Sequence, residues 1–278
     1  MDKKDCTEAL GNSVVHHGKE SDRVYLMRFS ASDMPGLPEQ LIELAERKDY
    51  SKIVCKVPRR FQQDFERYGY FFEAEIPGYY GGAEDCVFVS LFLKDFRKGQ
   101  SDADVIREIL DKAIKRSKSE KKTAPLEPSF ESDIMCPDEA EEMASLYRKV
   151  FKTYPFPIMN PNYIRETMKD NVIYFGVRDK GVLVALSSIE ACLEDQNGEM
   201  TDFATDPEYR GRGLAGYLLD AMDKAFTERG MKTAYTIARA VSPGMNLTFA
   251  GRGYRFGGTL VNNTQISGAL ESMNIWYK

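Results

Sequence analysis

The stretch EYRGRGLAGYLLDAMDKAF, residues 208–226, runs from a glycine-rich turn directly into an amphipathic helical pattern. Three of its glycines follow the spacing G-x-G-x-x-G, namely Gly211, Gly213 and Gly216. The first amides of a helix have no intrahelical acceptor, and together with the helix dipole they form a site for an anion. The fold must therefore place a strand before this turn and a helix after it, with an anion held locally between them.

The same spacing is the fingerprint of dinucleotide-binding folds, but its surroundings here exclude NAD and FAD. In those folds the turn follows the first strand of a doubly wound sheet, and an acid about 20 residues later holds the ribose. Here an antiparallel meander precedes the turn, and the next strand ends as IARA without an acid. The Gly-Lys-Ser/Thr of a P-loop is also missing. The turn is predicted to hold another pyrophosphate, unless it is only a tight turn beside two solvated arginines, Arg210 and Arg212.

Net charge and apolar content limit which macromolecules the protein is expected to bind. The chain of 278 residues has a formal net charge of -5, which argues against nucleic acid or anionic lipid as a partner. The N-terminal MDKKDC leads into no apolar segment, and no apolar run is long enough to span a bilayer. A cytoplasmic protein without a membrane partner is therefore expected.

Cysteine and histidine usage narrows the chemistry. The five cysteines lie far apart without a C-x-x-C pair, so neither a metal site nor a disulfide framework is predicted. The only two histidines, His16 and His17, fall in an N-terminal segment that is predicted to be frayed. A Ser-His-Asp or Cys-His mechanism is difficult to build from them, so catalysis would depend on carboxylates, Tyr, Lys or backbone amides.

Two α/β domains are predicted, residues 1–125 and residues 126–278. Between them a helical pattern loses its apolar period in the stretch SKSEKKTAPLEPS, which is typical of a linker. The first domain alternates strand and helix patterns: RVYLMRF, LPEQLIELAERKDY, KIVCKVP, RRFQQDFERYGY, FFEAEIPGYY and CVFVSLFL. The second has two helices, a meander of three strands, the glycine turn with its helix from Leu214 to Arg229, and three further strands around a short helix.

An ordered set of motifs in the second domain resembles the GNAT acetyltransferases. A strand is followed by R-x-x-G-x-A at Arg210, Gly213 and Ala215, then by a long helix, a strand, Asn246 and TFAGRGY. The resemblance covers residues 130–278 and implies a GNAT fold with a mixed sheet, in which the turn holds the pyrophosphate of acetyl-CoA. The residues that it implies for acetyl-CoA binding are Phe203, Ala204, Thr205, Arg210, Gly211, Arg212, Gly213, Leu214, Ala215, Gly216, Asn246 and Phe249.

Further motifs resemble the β-lysine N-acetyltransferases and extend the similarity to nearly the whole chain. They are YPFPI, EMTDFATDPEYRGRGLA, TAYTIARA, GMNLTF, GGTLVNNTQISG and ESMNIWYK. The resemblance implies acetylation of the ε-amino group of β-lysine, which gives a neutral compatible solute. In the first domain, FQQDFERYGYFFEAEIPGYY repeats the pattern of NLTFAGRGYRFGGTLV. That domain is therefore expected to be a smaller, degenerate GNAT-like half without the pyrophosphate loop.

Acetyl transfer to an amine needs a base, because an ammonium with a pKa of about 10.4 must lose a proton before it attacks a thioester. The register of the GNAT base falls on Glu199; a solvated glutamate after an NG turn is the structural alternative. Asp202, an odd number of positions further along the strand, is expected on the opposite face unless a bulge re-aims it. Backbone amides of residues 203–205 would stabilise the developing oxyanion. Phe249 stands where many GNATs have a proton-donating Tyr, so that acid is absent, moved or replaced by water.

A small-molecule diamino acid is the expected partner. Four acids near the expected cleft would attract its second ammonium: Glu190, Glu194, Asp202 and Glu271. Tyr154 and Phe156 would form a wall of the substrate site, or else pack on the core. Acetylation of protein lysines or polyamines is the rival activity, and a non-catalytic CoA-binding regulatory module is the alternative from another class. The sequence is compatible with a homodimer.

Overall fold

A computed structural model describes residues 5–118 and 126–278. Most of the predicted linker, together with the predicted domain boundary after residue 125, lies outside the described residues. None of the helices within the described ranges combines the length and the apolar character that crossing a bilayer requires.

The strands of the described residues are Cys6–Leu10 (β1), Ser13–Gly18 (β2), Arg23–Arg28 (β3), Lys52–Pro58 (β4), Phe71–Tyr80 (β5), Glu84–Phe92 (β6), Phe130–Ile134 (β7), Val172–Asp179 (β8), Val182–Cys192 (β9), Asn197–Thr205 (β10), Thr233–Arg239 (β11), Arg255–Ile266 (β12) and Ala269–Tyr277 (β13). The α-helices are Leu37–Arg47 (α1), Gln62–Glu66 (α2), Ala103–Ser117 (α3), Ala140–Val150 (α4), Pro161–Lys169 (α5), Leu214–Glu228 (α6) and Pro243–Ala250 (α7). Helix α2 is shorter than its pattern predicted, and β7 was not predicted.

All of these strands form one sheet, in the order β1-β2-β3-β4-β6-β5-β12-β13-β11-β10-β9-β8-β7. The two halves repeat one topology. In the first half β3 and β4 are parallel, with α1 between them, and β5 and β6 follow as antiparallel strands. In the second half β10 and β11, with α6 between them, are followed in the same way by β12 and β13. The predicted fold class, a mixed α/β sheet with a GNAT-like first half, is confirmed.

The two halves meet edge to edge where β5 lies beside β12. Gly258 of β12 pairs with Ala74 of β5 and has a φ of 136°. A side chain on Gly258 would collide with the backbone oxygen of Glu73, and one on Gly257 would collide with that of Glu75. The two glycines therefore let the two backbones approach closely, so that both halves border the space between them.

Strands β10 and β11 form a fork at the centre of the second half. They pair in parallel only where residues 197–199 lie opposite residues 233–235, and they then diverge. The register between β10 and β9 also shifts between Thr201 and Ala204, where β10 contains a bulge. The divergence opens a space between the strands beside the start of α6, and the cavities described below lie there.

The expectation of a frayed segment around His16 and His17 is wrong. Both lie on β2, which forms a hairpin with β1 and pairs with β3 on its other side. Their exposed fractions are 3% and 4%. Nδ1 of His17 lies 3.0 Å from the Tyr50 hydroxyl, and the ring centroid of His16 lies 4.9 Å from that of Phe156. The GN pair in the stretch LGNSV is a turn signal that could have predicted this hairpin.

Candidate active site

Helix α6 begins after Gly213, whose φ of 78° places it in the left-handed region. Gly211 has a φ of 84°, and a Cβ at either glycine would project into open space. The first amides of this 15-residue helix have no intrahelical acceptor. They border a cavity of about 580 Å³, whose lining includes Thr205, Arg210, Gly211, Gly213, Leu214, Ala215 and Gly216. This arrangement suits an anionic group.

Gly216 has a second, structural role. Nε of Arg252 donates to the backbone oxygen of Gly216 over 2.8 Å and to Oδ1 of Asp220 over 2.9 Å. A Cβ on Gly216 would overlap the guanidinium of Arg252. Residue 216 must therefore be small, because the Arg252 side chain from the turn after α7 packs against α6 at this position.

The two arginines of the turn differ in position. Arg210 lines the 580 Å³ cavity. The guanidinium of Arg212 instead lies 4.9 Å from the ring centroid of Tyr209 and 5.9 Å from that of Phe130, with Glu127 at 3.9 Å. Arg212 packs on aromatic rings outside that lining, and its contact with acetyl-CoA stays a prediction.

A second, smaller cavity of about 190 Å³ lies at the fork, and both halves of the chain line it. From the first half it is lined by Arg23, Tyr25, Met27 and Lys56. From the second half its lining includes Tyr154, Phe156, Glu190, Glu199 and Asp202. Four residues line both this cavity and the larger one: Phe151, Phe203, Arg239 and Met245. The anion-binding cavity and the carboxylate-bearing cavity are therefore neighbours that meet at the fork.

Two glutamates face each other in the smaller cavity. Glu199 on β10 is the register partner of Glu190 on β9. Glu199 also lies opposite Tyr235 at the last pair of the parallel ladder, and the hydroxyl of Tyr235 lowers the pKa of Glu199. Nζ of Lys56 lies 5.2 Å from the ring centroid of Tyr79 and 5.8 Å from that of Tyr235. A cation of the first half thus stands beside acids of the second.

Asp202 lines the same cavity as Glu199, which corrects the expectation that the two point to opposite faces. The bulge in β10 gives Asp202 a φ of 56° and inverts the direction of its side chain. The Tyr154 hydroxyl donates to Oδ1 of Asp202 over 2.6 Å, and the Ser188 hydroxyl donates to Oδ2 over 2.6 Å. Asp202 is therefore fixed by two donors, and Tyr154 is fixed in the cavity wall.

The electrostatics of these acids follow from burial and from one another. Burial raises the pKa of Glu199, the Lys56 ammonium opposes this shift, and the Asp202 carboxylate adds to it. Desolvation also raises the pKa of Glu190, although its side chain is in part solvent-exposed, and Glu199 and Asp202 contribute further. Because like charges so close disfavour double ionisation, the pair retains a proton at pH values where an exposed glutamate is ionised. A carboxylate with a raised pKa is well matched to accept a proton near neutral pH.

We expect Glu190→Gln to stabilise the ligand-free protein in alkaline solution. The raised pKa of Glu190 means that its ionisation opposes folding, and this cost is absent at pH values below the ordinary pKa. The cost grows as the pH rises above the ordinary pKa and levels off beyond the folded-state pKa. Because the side chain of Glu190 is solvent-exposed, screening reduces this cost, so the expected gain in Tm is on the order of 1–2 °C at pH 9 and vanishes near pH 4. Glu194→Gln, on the exposed turn after β9, is the control and should show no such trend. A gain that does not depend on pH would contradict the charge argument.

The remaining predicted contacts divide between the cavities and the core. Phe249 is fully buried and lines the smaller cavity, with its ring edge-to-face to Phe203 at 5.6 Å and to Tyr254 at 5.0 Å. Phe203 lines both cavities. The side chain of Ala204 is 1% exposed, packs against α4 and lines neither cavity, so only its backbone could take the predicted role.

Asn246, which was predicted as an acetyl-CoA contact, makes structural hydrogen bonds in this fold and lines neither of these two cavities. Its Oδ1 accepts from Nδ2 of Asn274 over 2.8 Å and from Nε1 of Trp276 over 2.9 Å. Its Nδ2 donates to the backbone oxygens of Arg239 and Ser242 over 3.0 and 2.8 Å. The fully buried side chain therefore joins the end of β11 and the start of α7 to β13.

Asn246→Ala should lower the free energy of unfolding by about 3 kcal/mol, because it leaves the donors of Asn274 and Trp276 buried without an acceptor. Urea unfolding measures this loss. Asn162→Ala, at an exposed position of α5, should cost less than about 1 kcal/mol. Unchanged stability of the Asn246 variant together with weaker acetyl-CoA binding would instead indicate direct contact with the co-substrate.

Glu271 does not line the substrate-sized cavity, contrary to expectation. Nε and Nη2 of Arg239 donate to its two carboxylate oxygens over 2.7 and 2.5 Å. Its charge is therefore matched by an arginine that itself lines both cavities. Glu194 lines a third cavity of about 800 Å³, which shares Glu190, Lys56 and Tyr235 with the smaller one. The acids that the fold brings together in the smaller cavity are Glu190, Glu199 and Asp202.

Sequence reasoning missed the contribution of the first half. Arg23 and Tyr25 alternate on one face of β3, and Lys56 interrupts the apolar stretch of β4 that follows Lys52. A charged residue on the buried face of a strand is uncommon unless it is paired or functional. That pattern was the available signal, but the partners of these residues lie far away in the sequence.

The fold and the cavities can be compared with known proteins. The model of the acetyltransferase (GNAT) family matches residues 139–246. A β-lysine N(6)-acetyltransferase of Methanococcus maripaludis is 38% identical over 269 residues, which cover 97% of each chain. A β-lysine N(6)-acetyltransferase of Methanosarcina mazei is 36% identical and covers 84% of this chain and 93% of that one. The N-acetyltransferase YodP of Bacillus subtilis is 31% identical and covers 96% of this chain and 95% of that one.

Fold, site and relatives together define an acyltransferase. The chain belongs to the GNAT acetyltransferase family, whose members use acetyl-CoA. Its similarity to these curated relatives extends over both halves of the sheet.

Proposed function

We propose that the protein transfers the acetyl group of acetyl-CoA to the ε-amino group of β-lysine. The observation that carries this proposal is the position of Glu199, a half-buried carboxylate with a raised pKa, in the small cavity that shares four lining residues with the cavity at the start of α6. The small cavity suits a free metabolite better than a polypeptide, because both halves of the chain border it. Two relatives that carry the name β-lysine N(6)-acetyltransferase support the same substrate.

The larger cavity fits acetyl-CoA. The left-handed glycines at positions 211 and 213 leave no side chain in front of the amides, and Arg210 adds a positive charge beside them. The amides of residues 211–216 would hold the pyrophosphate. When bound, acetyl-CoA supplies an acetyl group that is activated as a thioester.

The residues of the smaller cavity then handle the proton. Glu199 accepts a proton from the ε-ammonium of the substrate, directly or through water, which frees the nitrogen lone pair. The new N–C bond forms as the C–S bond breaks, and backbone amides of residues 203–205 would stabilise the oxygen that gains charge. Phe249 cannot donate a proton to the leaving sulfur. A thiol with a pKa of about 8.5 can leave as thiolate near neutral pH, and the second proton that the nitrogen loses as the amide forms passes through water to the thiolate.

The reaction removes one positive charge from the substrate. β-Lysine carries two ammonium groups and one carboxylate, whereas its ε-acetylated product has no net charge. A neutral, highly soluble zwitterion can accumulate without a counterion, which is the property of a compatible solute. We assign this role to the product, with the reaction in the cytoplasm.

A thiol-release assay tests the proposal. With acetyl-CoA and a panel of β-lysine, α-lysine, spermidine and a lysine peptide, β-lysine should give the highest kcat/KM. NMR of the product should place the acetyl group on the ε nitrogen. Preference for spermidine or the peptide would replace the proposed substrate. Absence of thiol release with every amine would indicate a CoA-binding module without catalysis.

A further inference from the structure

Arg23 is a buried cation of the first half whose Nε and Nη2 edge lacks a hydrogen-bond acceptor in the part of the chain that the structure describes. It is 3% exposed and lines the smaller cavity. Its Nη1 donates to the backbone oxygen of Asn263 and to Oγ1 of Thr264, both over 2.8 Å. Its Nε is enclosed without an acceptor, and Nη2 forms no hydrogen bond to the described residues. No carboxylate among the described residues forms an ion pair with Arg23.

A neighbouring arginine shows what a purely structural guanidinium looks like in this fold. Arg97 is also fully buried, but it donates through Nε, Nη1 and Nη2. Its acceptors are the backbone oxygens of Asn262, Asp22 and Ser21 and the hydroxyl of Ser51, at 2.7 to 3.1 Å. It does not line the smaller cavity. Arg23 therefore differs from Arg97 in that burial has left its Nε and Nη2 edge unmatched, which is costly unless a ligand supplies the acceptor.

The unmatched edge lies in the same cavity as an unmatched acceptor and three acids. Oδ1 of Asn263, another lining residue, is also buried without a partner. The acids Glu190, Glu199 and Asp202 lie on β9 and β10, whereas Arg23 lies on β3 of the other half. The cavity therefore offers both a cationic and an anionic lining. A polyamine could use only the anionic part, whereas an amino acid could use both.

We propose that Arg23 binds the carboxylate of the acceptor amino acid through its Nε and Nη2 edge. Oδ1 of Asn263 accepts a hydrogen bond from the ammonium next to that carboxylate. The planar guanidinium edge matches the two oxygens of a carboxylate, and Nη1 holds it in place on Asn263 and Thr264. The inference rests on the proposed acetyl transfer to a small amino acid. It makes the first half of the chain the part that distinguishes amino acids from polyamines.

The test compares β-lysine with β-lysinamide, which keeps both amines and lacks only the carboxylate charge. Wild-type protein should acetylate β-lysine with a kcat/KM about 100-fold higher, because the amide leaves the Arg23 edge unpaired. Equal kcat/KM for the two compounds would overturn the proposal. If wild-type protein acetylates neither compound, the proposed function itself fails, and that result is distinct from equal use of both.

Two variants test whether Arg23 causes the preference for β-lysine over β-lysinamide. Arg23→Gln should lower kcat/KM about 100-fold for β-lysine and change it less than about threefold for β-lysinamide. Arg97→Gln, which loses contacts with the adjoining backbone outside the cavity, should affect both compounds alike. A thermal shift measured with β-lysine alone should disappear in Arg23→Gln and persist in Arg97→Gln. If Arg23→Gln does not fold, the kcat/KM values of wild-type protein for β-lysine and β-lysinamide test the proposal on their own. An equal loss for both compounds in folded Arg23→Gln would contradict the proposal.

Discussion

Glu199→Gln is expected to lower kcat by about 10²–10³-fold at neutral pH, with little change in the KM for acetyl-CoA. The glutamine keeps the shape of the side chain but cannot accept a proton from an ammonium. The loss should shrink as the pH approaches about 10, where a growing fraction of the substrate amine is already neutral. The measurement is kcat as a function of pH for the variant and the wild-type protein.

The control for this change is Glu194→Gln, which alters the same chemical group on the exposed turn after β9 and should leave the pH profile unchanged. A loss for Glu199→Gln that is constant across the pH range would assign the residue a positioning role. Wild-type activity at every pH would remove Glu199 from the mechanism.

Gly213→Val should raise the KM for acetyl-CoA at least about tenfold. The left-handed φ of 78° strains a β-branched residue, and its side chain would project into the space in front of the first α6 amides. Because proton abstraction at Glu199 is not altered directly, kcat at saturating acetyl-CoA should fall much less than kcat/KM.

Gly230→Val provides the matched control for backbone strain. Gly230 lies just beyond the other end of α6, has a φ of 69°, and would also place a side chain in open space. It should reduce stability as Gly213→Val does and leave the KM for acetyl-CoA near the wild-type value. Equal KM changes in both variants would show that strain, rather than blocked amides, causes the effect.

The parts of the structure that the sequence predicted are those that depend on neighbours along the chain. The turn at Gly213, the helix after it and the strands on either side follow from local periodicity and glycine chemistry. The repeated aromatic and glycine pattern of the two halves correctly indicated a common topology.

The parts that were missed depend on single irregularities or on distant partners. One bulge inverts the direction of Asp202, and no periodicity rule contains it. The side chains of Glu271 and Asn246 are chemically suited to bind a ligand, but they already accept hydrogen bonds from Arg239 and Trp276. Arg23 enters the cavity because the halves join at β5 and β12, a pairing that connects residues far apart in the chain.

The most direct measurement is kcat/KM for free β-lysine against a derivative whose carboxylate and β-amino group are both blocked, so that it resembles a lysine side chain in a peptide. The cavity holds Glu190, Glu199 and Asp202 within a volume of about 190 Å³. A substrate whose carboxylate and β-amino group are both blocked loses the charges that this mixed cationic and anionic lining would match. We expect free β-lysine to be favoured by at least about 100-fold. Equal reactivity of the blocked compound would contradict a small-metabolite acetyltransferase and favour acetylation of protein lysines.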